Sequence, residues 1–252
     1  MAKIYHYTDI STLALILHNQ TIRFNRLDRV DDPDEFDFDH NGLQLAKYHF
    51  ISCWTRNEKE SLPQWSMYGH CNHGVRIGLE ENMFNLYEYN GRMCFLPGEE
   101  ILGMSKHVIL PNLTDNEFAI TDIIYVDDPL IYREQISGNT DEDESFLDFR
   151  KLGLFKSKDW AFQKECRIFM EIIPKIMTRD NRCHPIKYAF ENNITPEISF
   201  YDLKLKDDVY QNMEIMLGPS TSLSEQLIVK SLMSKYLKRE DCLLSMYAGK
   251  TK

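Results

Sequence analysis

The first 24 residues show strand-like and helix-like patterns of apolar and polar positions in turn. Residues 3–7 alternate polar with aromatic or β-branched side chains, which is typical of a short strand. Thr8 or Asp9 then stands where a helix needs a cap, and the apolar positions within residues 10–17 recur at helical spacing. Residues 21–24 alternate again. The chain is therefore predicted to begin with a strand, a helix and a second strand.

The rest of the chain is a series of strand-like segments separated by helices and loops. The predicted strands are rich in β-branched or aromatic residues and cover residues 49–54, 75–79, 121–126, 166–173, 201–205 and 213–217, with one or two more between 84 and 95. Each predicted helix carries a signal at its start. One begins at Pro63, and one runs from a cap at Ser222 or Ser224 to Leu237. A third follows the acidic residues 141–144, which favour a first turn, and includes Phe146, Leu147, Phe149 and Leu152. Because this order lacks regular βαβ alternation, we predict one α+β domain spanning residues 1–252.

Composition and charge narrow the class of protein. The 252 residues carry a net charge of −10, which argues against salt-driven binding to long nucleic acids, since that binding needs a basic face. Arg23, Arg26 and Arg29 could still form a local basic groove. No apolar stretch approaches the roughly 18 residues that a membrane helix needs, and no secretory leader is recognised. We therefore expect a cytoplasmic protein with no membrane partner, whose six cysteines are reduced.

Two segments contain side chains that can bind metal ions. Residues 70–73 include two His and one Cys, but downstream only Cys183-His184 offers a second pair, and its spacing is not typical of zinc sites. Residues 31–35 contain four carboxylates and a proline, which we interpret as a solvated loop or as a loop at the rim of a pocket. No metal site is therefore predicted.

The strongest candidate for chemistry is the pair Gln163 and Glu165. Side chains two residues apart leave the same face of an extended backbone, and this pair stands where a charged, aromatic segment enters an apolar strand. An ionised Glu165 could accept a ribose hydroxyl or stabilise an oxocarbenium-like centre while a glycosidic bond breaks. Gln163 could orient the attacking group. The alternative is that Glu165 forms a surface ion pair with Arg167, which would contribute little stability.

A second cluster of candidate residues lies at the end of the first predicted strand. His6 can hydrogen-bond sugar hydroxyls or an amide through both ring nitrogens, Tyr7 can stack on a planar ring, and Thr8 adds a hydroxyl. The alternative is that these residues belong to the core. Further aromatic residues, Trp54, Trp65 and Tyr68, could form a pocket wall for a flat group or a satellite aromatic cluster. We expect both candidate clusters to line one cavity.

These segments resemble a widespread bacterial family of uncharacterised proteins, known only as a domain of unknown function. Its members share a His-Tyr-Thr strand, an Asn-Asp-Pro-x-Glu loop and a Lys-x-x-Trp-x-x-Glu-x-Glu-x-Arg signature. The matching positions, which extend to about Ile168, are His6-Tyr7-Thr8, residues 31–35, Ser52-Cys53-Trp54, residues 65–69 and 74–78, Trp160, Glu165 and Arg167. The chain departs from the pattern at Asp31, which replaces Asn, at Ser157, which stands at the Lys position, and at Gln163, where many members have Glu.

That family is similar, in turn, to the ADP-ribosyltransferase superfamily. The resemblance implies a split mixed β-sheet, flanked by helices, that holds NAD in a cleft. It implies that His6 lies on the first strand, that Glu165 holds the nicotinamide ribose and promotes loss of nicotinamide, and that Gln163 helps to select the acceptor. The second-strand position is left open between Ser52, Thr55 and Tyr68.

The function favoured by the resemblance is an NAD-consuming ADP-ribosyltransferase or NAD glycohydrolase, suited to phage defence or a toxin system. NAD would be the substrate, and the acceptor would be a protein, a small molecule or a nucleic acid. The expected catalytic residues are Glu165, Gln163 and His6, and the expected NAD-binding residues are His6, Tyr7, Thr8, Trp54, Trp65 and Tyr68. One alternative is a non-catalytic module that binds a nucleotide or ADP-ribose. A weaker alternative is a metal-dependent nuclease.

Overall fold

The structure, a computed structural model, describes residues 2–35, 39–40, 43–89, 92–94, 106–114, 117–139, 145–175 and 185–250. Within them a large mixed sheet and several helices form an α+β fold, as the order of the predicted elements indicated.

Twenty strands and six α-helices lie within the described residues. The strands are β1 (Lys3–Thr8), β2 (Thr21–Arg26), β3 (Asp39–His40), β4 (Leu43–Gln44), β5 (His49–Thr55), β6 (Val75–Glu80), β7 (Tyr87–Tyr89), β8 (Arg92–Cys94), β9 (His107–Pro111), β10 (Leu113–Thr114), β11 (Glu117–Phe118), β12 (Thr121–Asp122), β13 (Ile124–Val126), β14 (Ser137–Asn139), β15 (Ser145–Leu147), β16 (Phe155–Ser157), β17 (Glu165–Pro174), β18 (Phe200–Lys204), β19 (Glu214–Leu217) and β20 (Leu243–Leu244). The helices are α1 (Ile10–Asn19), α2 (Leu62–Met67), α3 (Arg133–Ile136), α4 (Pro185–Glu191), α5 (Asp207–Gln211) and α6 (Leu223–Leu237).

Ten of the strands form one sheet. Its main path runs β12-β17-β5-β1-β6-β19-β20, and β2, β9 and β18 join it at the side. Strand β2 pairs with β5 and β18, and β9 pairs with β17. The sheet is mixed because β19 and β20 run parallel while its other pairs run antiparallel.

The sheet is split between its central strands β1 and β5. In the described part of the chain these strands pair at one position, Tyr5 opposite Thr55. Strand β1 pairs with β6 along its whole length, from Lys3 to Thr8, and β5 pairs with β17 over seven residues. Residues 6–8 therefore have no strand partner on the β5 side, and a gap opens there.

Apolar side chains pack on both faces of the sheet. The larger core includes Leu13 and Leu17 of α1 and Val229 and Met233 of α6, all buried. A smaller cluster around Leu27 covers the opposite face. Since burial of apolar surface is the main driving force of folding, these two clusters stabilise the packing of the sheet against the elements on each of its faces.

Strand β17 contributes to both faces because its side chains alternate. Ile168 and Met170 join the larger core, whereas Phe169 joins the smaller cluster. Glu165 and Arg167 have the same parity as Phe169 and therefore lie on its side of the sheet. The start of β17 thus places two charged groups on the face that carries the smaller apolar cluster.

Local capping residues fix the two long helices. The Asp9 side chain accepts a hydrogen bond of 2.6 Å from the Thr12 backbone N–H at the start of α1, and Gln20 ends α1 in a left-handed conformation. Ser222 and Glu225 form a reciprocal capping box at the start of α6. Both helix starts had been predicted from these residue types.

Two predicted elements are wrong. Residues 121–126 form two short strands instead of one, because β12 pairs with β17 while β13 pairs with β16. The predicted helix through Phe146 and Leu147 is instead strand β15, which pairs with β14, followed by a 3₁₀ helix at Phe149–Lys151. Pairing with a neighbouring strand overrides helical spacing there. The acidic residues 141–144, which prompted the helix prediction, lie outside the described residues.

Candidate functional site

A cavity of about 500 Å³ lies beside the gap between β1 and β5. Strand β1 lines one side, and β5 with the start of β17 lines another. Seven of the eight residues predicted to form the site lie in its lining: His6, Tyr7, Thr8, Trp54, Tyr68, Gln163 and Glu165. The structure therefore brings the two predicted clusters together at one cavity. That these residues bind or transform a ligand stays a prediction.

His6 bridges the gap in the sheet. Its Nδ1 lies 2.8 Å from the backbone oxygen of Cys53 on β5. Burial lowers the pKa of His6, and the hydrogen bond to Cys53 offsets only part of this effect. The imidazole is therefore neutral at pH 7. Because a carbonyl oxygen can only accept, Nδ1 carries the proton and Nε2 is left as an acceptor.

The three aromatic residues differ in position. Tyr68 lines the cavity, and so does Trp54, which is 3% exposed and donates from Nε1 to Ser52 Oγ at 2.9 Å. Trp65 lies outside the cavity lining that the described residues define. It is fully buried and meets Tyr7 edge-on, with ring centroids 4.8 Å apart. Trp65 thus packs behind Tyr7, apart from the other seven predicted site residues, and its contact with a ligand stays a prediction.

Glu165 belongs to a buried ring of four charges. Its Oε1 lies 2.5 Å from Arg167 Nε, and its Oε2 lies 3.1 Å from Lys156 Nζ. Glu35 completes the ring through Lys156, at 3.1 Å, and through Arg167 Nη1. All four side chains are at most 7% exposed. The ion pair between Glu165 and Arg167, given above as the alternative to a catalytic role, is therefore present. It is buried and not at the surface, so loss of either partner would leave an unpaired ion in the interior and destabilise the fold.

The ring of four charges keeps Glu165 ionised. Burial by itself raises the pKa of Glu165, but the charges of Arg167 and Lys156 and the hydrogen bonds from Arg167 and Cys53 outweigh burial and lower the pKa to about 2. The Tyr125 hydroxyl accepts a hydrogen bond of 2.8 Å from the Glu165 backbone N–H and so fixes the start of β17. The cavity therefore contains a carboxylate of fixed position and charge.

The lowered pKa predicts a loss of stability in acid. An unfolded Glu165, with a pKa near 4.5, binds its proton at higher pH than the folded one, so its contribution is complete above that pH and disappears as the pH falls towards 2. The contribution is on the order of 3 kcal/mol. Urea unfolding between pH 7 and pH 2.5 should show the stability gap between wild type and Glu165→Gln shrinking as the pH falls. A constant gap would contradict this prediction.

Gln163 is held at the cavity by two hydrogen bonds, and the residue after it by a third. Its Nε2 donates to the Tyr68 hydroxyl at 2.6 Å, and Gln64 Nε2 donates to its backbone oxygen at 2.7 Å. Lys164 follows in a left-handed conformation, with its backbone oxygen accepting from Thr55 Oγ1 at 2.8 Å. This tight turn separates the 3₁₀ helix at Lys158–Gln163 from β17.

Glu60 anchors the segment that leads into helix α2, which forms part of the cavity wall. Its carboxylate accepts hydrogen bonds from Trp65 Nε1 at 2.9 Å, from Ser245 Oγ at 2.5 Å and from the Met246 backbone N–H at 2.7 Å. On the other side of this segment, the Ser61 backbone N–H donates to the Tyr7 hydroxyl at 3.0 Å. Residues near the end of the chain therefore help to position the cavity wall.

Sequence reasoning missed Glu35 and Lys156. Glu35 lies in the 3₁₀ helix Pro33–Glu35, within the acidic loop that was interpreted as solvated or as a pocket rim. The rim interpretation is the one that fits, because Asp31 lines the cavity and Glu35 is buried beneath it. The Glu35 position in the Asn-Asp-Pro-x-Glu pattern was the available signal, but its partners lie more than 120 residues away.

The other predicted clusters have simpler structural roles. Arg23 pairs with Asp202 through two hydrogen bonds, and Arg26 pairs with Asp28 in the same way, so neither is a free cation of a basic groove. His73 contacts Glu225 at the start of α6 at 3.1 Å. Among the described residues no group of three or more His, Cys, Asp or Glu side chains is arranged to hold a metal ion. No described helix combines the length and the apolar character required to cross a membrane.

Comparisons of this chain with known protein families, with curated proteins and with solved structures find no match.

Proposed function

We propose that the protein is an NAD-consuming enzyme of the ADP-ribosyltransferase type, which transfers ADP-ribose to an acceptor or to water. One observation carries this proposal: His6 on β1 and Glu165 on β17 line a single cavity at the split of the sheet. A cavity of about 500 Å³ is in the usual range for sites of small molecules and cofactors, about 300–1,000 Å³.

Each residue has a defined part in the proposed reaction. Neutral His6 accepts a hydrogen bond at Nε2 from a ribose hydroxyl or from the carboxamide of NAD. Tyr68 and Trp54 provide aromatic surface. The bond between ribose and nicotinamide breaks with its electron pair going to nicotinamide, which leaves as a neutral molecule. The ribosyl cation that develops is stabilised by the fixed negative charge of Glu165.

The acceptor completes the proposed reaction. Water or an acceptor N–H or O–H group attacks the ribosyl carbon and gives up one proton to solvent. Gln163, two residues before Glu165, lines the same cavity. In the proposed reaction it orients that group or the nicotinamide. Transfer to water gives an NAD glycohydrolase, and transfer to another molecule gives an ADP-ribosyltransferase.

A second candidate function is a non-catalytic module that binds a nucleotide or ADP-ribose. The favouring observation is that both carboxylate oxygens of Glu165 already contact cations. A carboxylate neutralised in this way stabilises a developing positive charge less than a free one does. The same cavity could then hold the ligand without breaking the glycosidic bond.

The experiment that separates the two candidates measures binding and turnover together. We expect the purified protein to release nicotinamide from NAD and to gain thermal stability with NAD and with ADP-ribose. His6→Ala should reduce nicotinamide release by roughly 100-fold, since it removes one contact that positions the reacting ribose. His18→Ala is the matched control, because His18 lies on α1 and contacts Tyr236.

The outcomes are distinct. Thermal stabilisation by both ligands without any nicotinamide release would favour the binding module. If neither ligand binds the folded protein, the enzymatic proposal and a module that binds ADP-ribose are both excluded.

A further inference from the structure

One cation of the cavity lining, Arg29, has no partner among the described residues. It ends the 3₁₀ helix Leu27–Arg29, is exposed and lines the cavity. No hydrogen bond or ion pair joins its side chain to another residue in the part of the chain that the structure describes. The other Lys and Arg side chains of the lining, Arg23, Lys156 and Arg167, each contact a carboxylate. The N–H donors of Arg29 are therefore open to an anion in the cavity.

The carboxylates nearest to Arg29 along the chain leave it free. Asp28 accepts two hydrogen bonds from Arg26, at 2.7 and 2.9 Å. Asp31 also lines the cavity, but within the described ranges no ion pair links it to Arg29. Leu27 is fully buried in the smaller apolar cluster. The backbone that leads to Arg29 is thus anchored, while the guanidinium at its end stays uncompensated.

A second donor lies on the strand that leads to Arg29. The Asn25 side chain is exposed, lines the cavity and has no hydrogen-bond partner among the residues that the structure describes. Asn25 pairs with Ile51 near the start of β5, whereas Glu165 pairs with Thr55 at the end of β5. Asn25 therefore lines the cavity at the end of β5 that lies away from Glu165, and Arg29 follows it within one short segment.

We propose that Arg29, assisted by Asn25, binds the diphosphate group of a nucleotide held in the cavity. This inference rests on the proposed function, since NAD and ADP-ribose each carry a diphosphate. The planar guanidinium offers two parallel N–H donors to phosphate oxygens, and such hydrogen bonds between ionised groups are roughly twice as strong as neutral ones. The diphosphate supplies the anion that Arg29 lacks within the described chain. The ribose next to nicotinamide is then left for Glu165.

The test compares ADP with adenosine, which differ only in the diphosphate, by NMR titration of the folded protein. We expect wild type to bind ADP at least about 10-fold more tightly than adenosine, because the diphosphate adds charge-assisted hydrogen bonds. Arg29→Gln should weaken ADP binding about 10-fold and leave adenosine binding unchanged. Wild-type affinity for ADP should also fall as the salt rises from about 0.05 M to about 0.5 M, and this fall should be smaller in Arg29→Gln.

Arg23→Gln is the matched control. It removes one positive charge from the lining of the same cavity, as Arg29→Gln does, but Arg23 is already paired with Asp202 through two hydrogen bonds. Since both variants change the net charge equally, long-range attraction alone would weaken ADP binding equally in both. We expect Arg23→Gln to keep its dissociation constant for ADP within about 3-fold of wild type.

Three results would overturn the diphosphate subsite. The first is that wild type binds ADP no more tightly than adenosine, or binds neither. The second is wild-type affinity for ADP in Arg29→Gln. The third is an equal loss in Arg29→Gln and Arg23→Gln, which would assign the effect to net charge.

The subsite and the enzymatic proposal can fail separately. Binding of ADP through Arg29 without nicotinamide release from NAD would contradict only the enzymatic proposal. Nicotinamide release by a protein that fails the ADP comparison would contradict only the subsite.

Discussion

Glu165→Gln is expected to reduce nicotinamide release from NAD by roughly 100- to 1000-fold, the usual range when one group that stabilises a transition state is removed. The substitution keeps the size and shape of the side chain, removes its negative charge and replaces one acceptor oxygen with an NH₂ donor. In the proposed reaction that charge faces the ribosyl cation. The rate is measured as nicotinamide produced at saturating NAD, with the folded fraction checked by thermal unfolding.

Glu35→Gln is the matched control for this prediction. Glu35 contacts the same two cations as Glu165, so both substitutions leave the ring of four charges with one excess positive charge. Glu35 does not line the cavity that the described residues define, whereas Glu165 does. The two variants should lose similar stability, but Glu35→Gln should retain at least about a tenth of the activity. Equal losses of activity would mean that Glu165 acts only through the stability of the ring.

Arg167→Met is expected to lower the free energy of unfolding by about 3–5 kcal/mol, as in other buried ion pairs that lose one partner. The change leaves Glu35 and Glu165 with Lys156 as their only described cation, and it removes the donor to the Gly153 backbone oxygen at 2.7 Å. Urea titration at pH 7 measures the loss. A loss that falls within the error of the titration would contradict the buried character of the ring.

The pH dependence gives this prediction a second signature. Without the guanidinium, Glu165 loses the largest of the interactions that lower its pKa, and burial raises the pKa of its carboxyl group in the folded variant. Groups with raised folded pKa values add stability at low pH and lose it as the pH rises through those values. The deficit of Arg167→Met should therefore be smaller at pH 4 than at pH 7. Arg150→Met, which alters an exposed pair with Asp148, should unfold like wild type at both pH values.

Local patterns were sufficient to predict most of the central elements. Strand β17 and helix α1 carry their signals within a few residues: an apolar run for the strand, and the Asp9 cap with apolar positions at helical spacing for the helix. The prediction failed where a partner distant in sequence decided the conformation. Phe146 and Leu147 have helical spacing, yet their segment pairs with β14.

The candidate site was predictable to a similar extent. His6 and Glu165 were found from residue type and from their position at the end or start of a strand. Sequence could not show that Trp65 lies outside the cavity lining, since an aromatic residue on a short helix has the same sequence pattern whether it faces a cavity or the core. Glu35 was not assigned to the site because its partners, Lys156 and Arg167, lie far along the chain, and only the folded structure brings them within 3.1 Å or less.

The ring of four charges also restricts how this protein can change over evolutionary time. Its members come from three separate stretches of the chain, at Glu35, at Lys156, and at Glu165 with Arg167. A natural variant that exchanges one member for a neutral residue leaves an uncompensated ion in the interior. Neutrality returns only if a member of the opposite charge is also replaced by a neutral residue. These positions are therefore expected to change in pairs of one anion and one cation, or not at all.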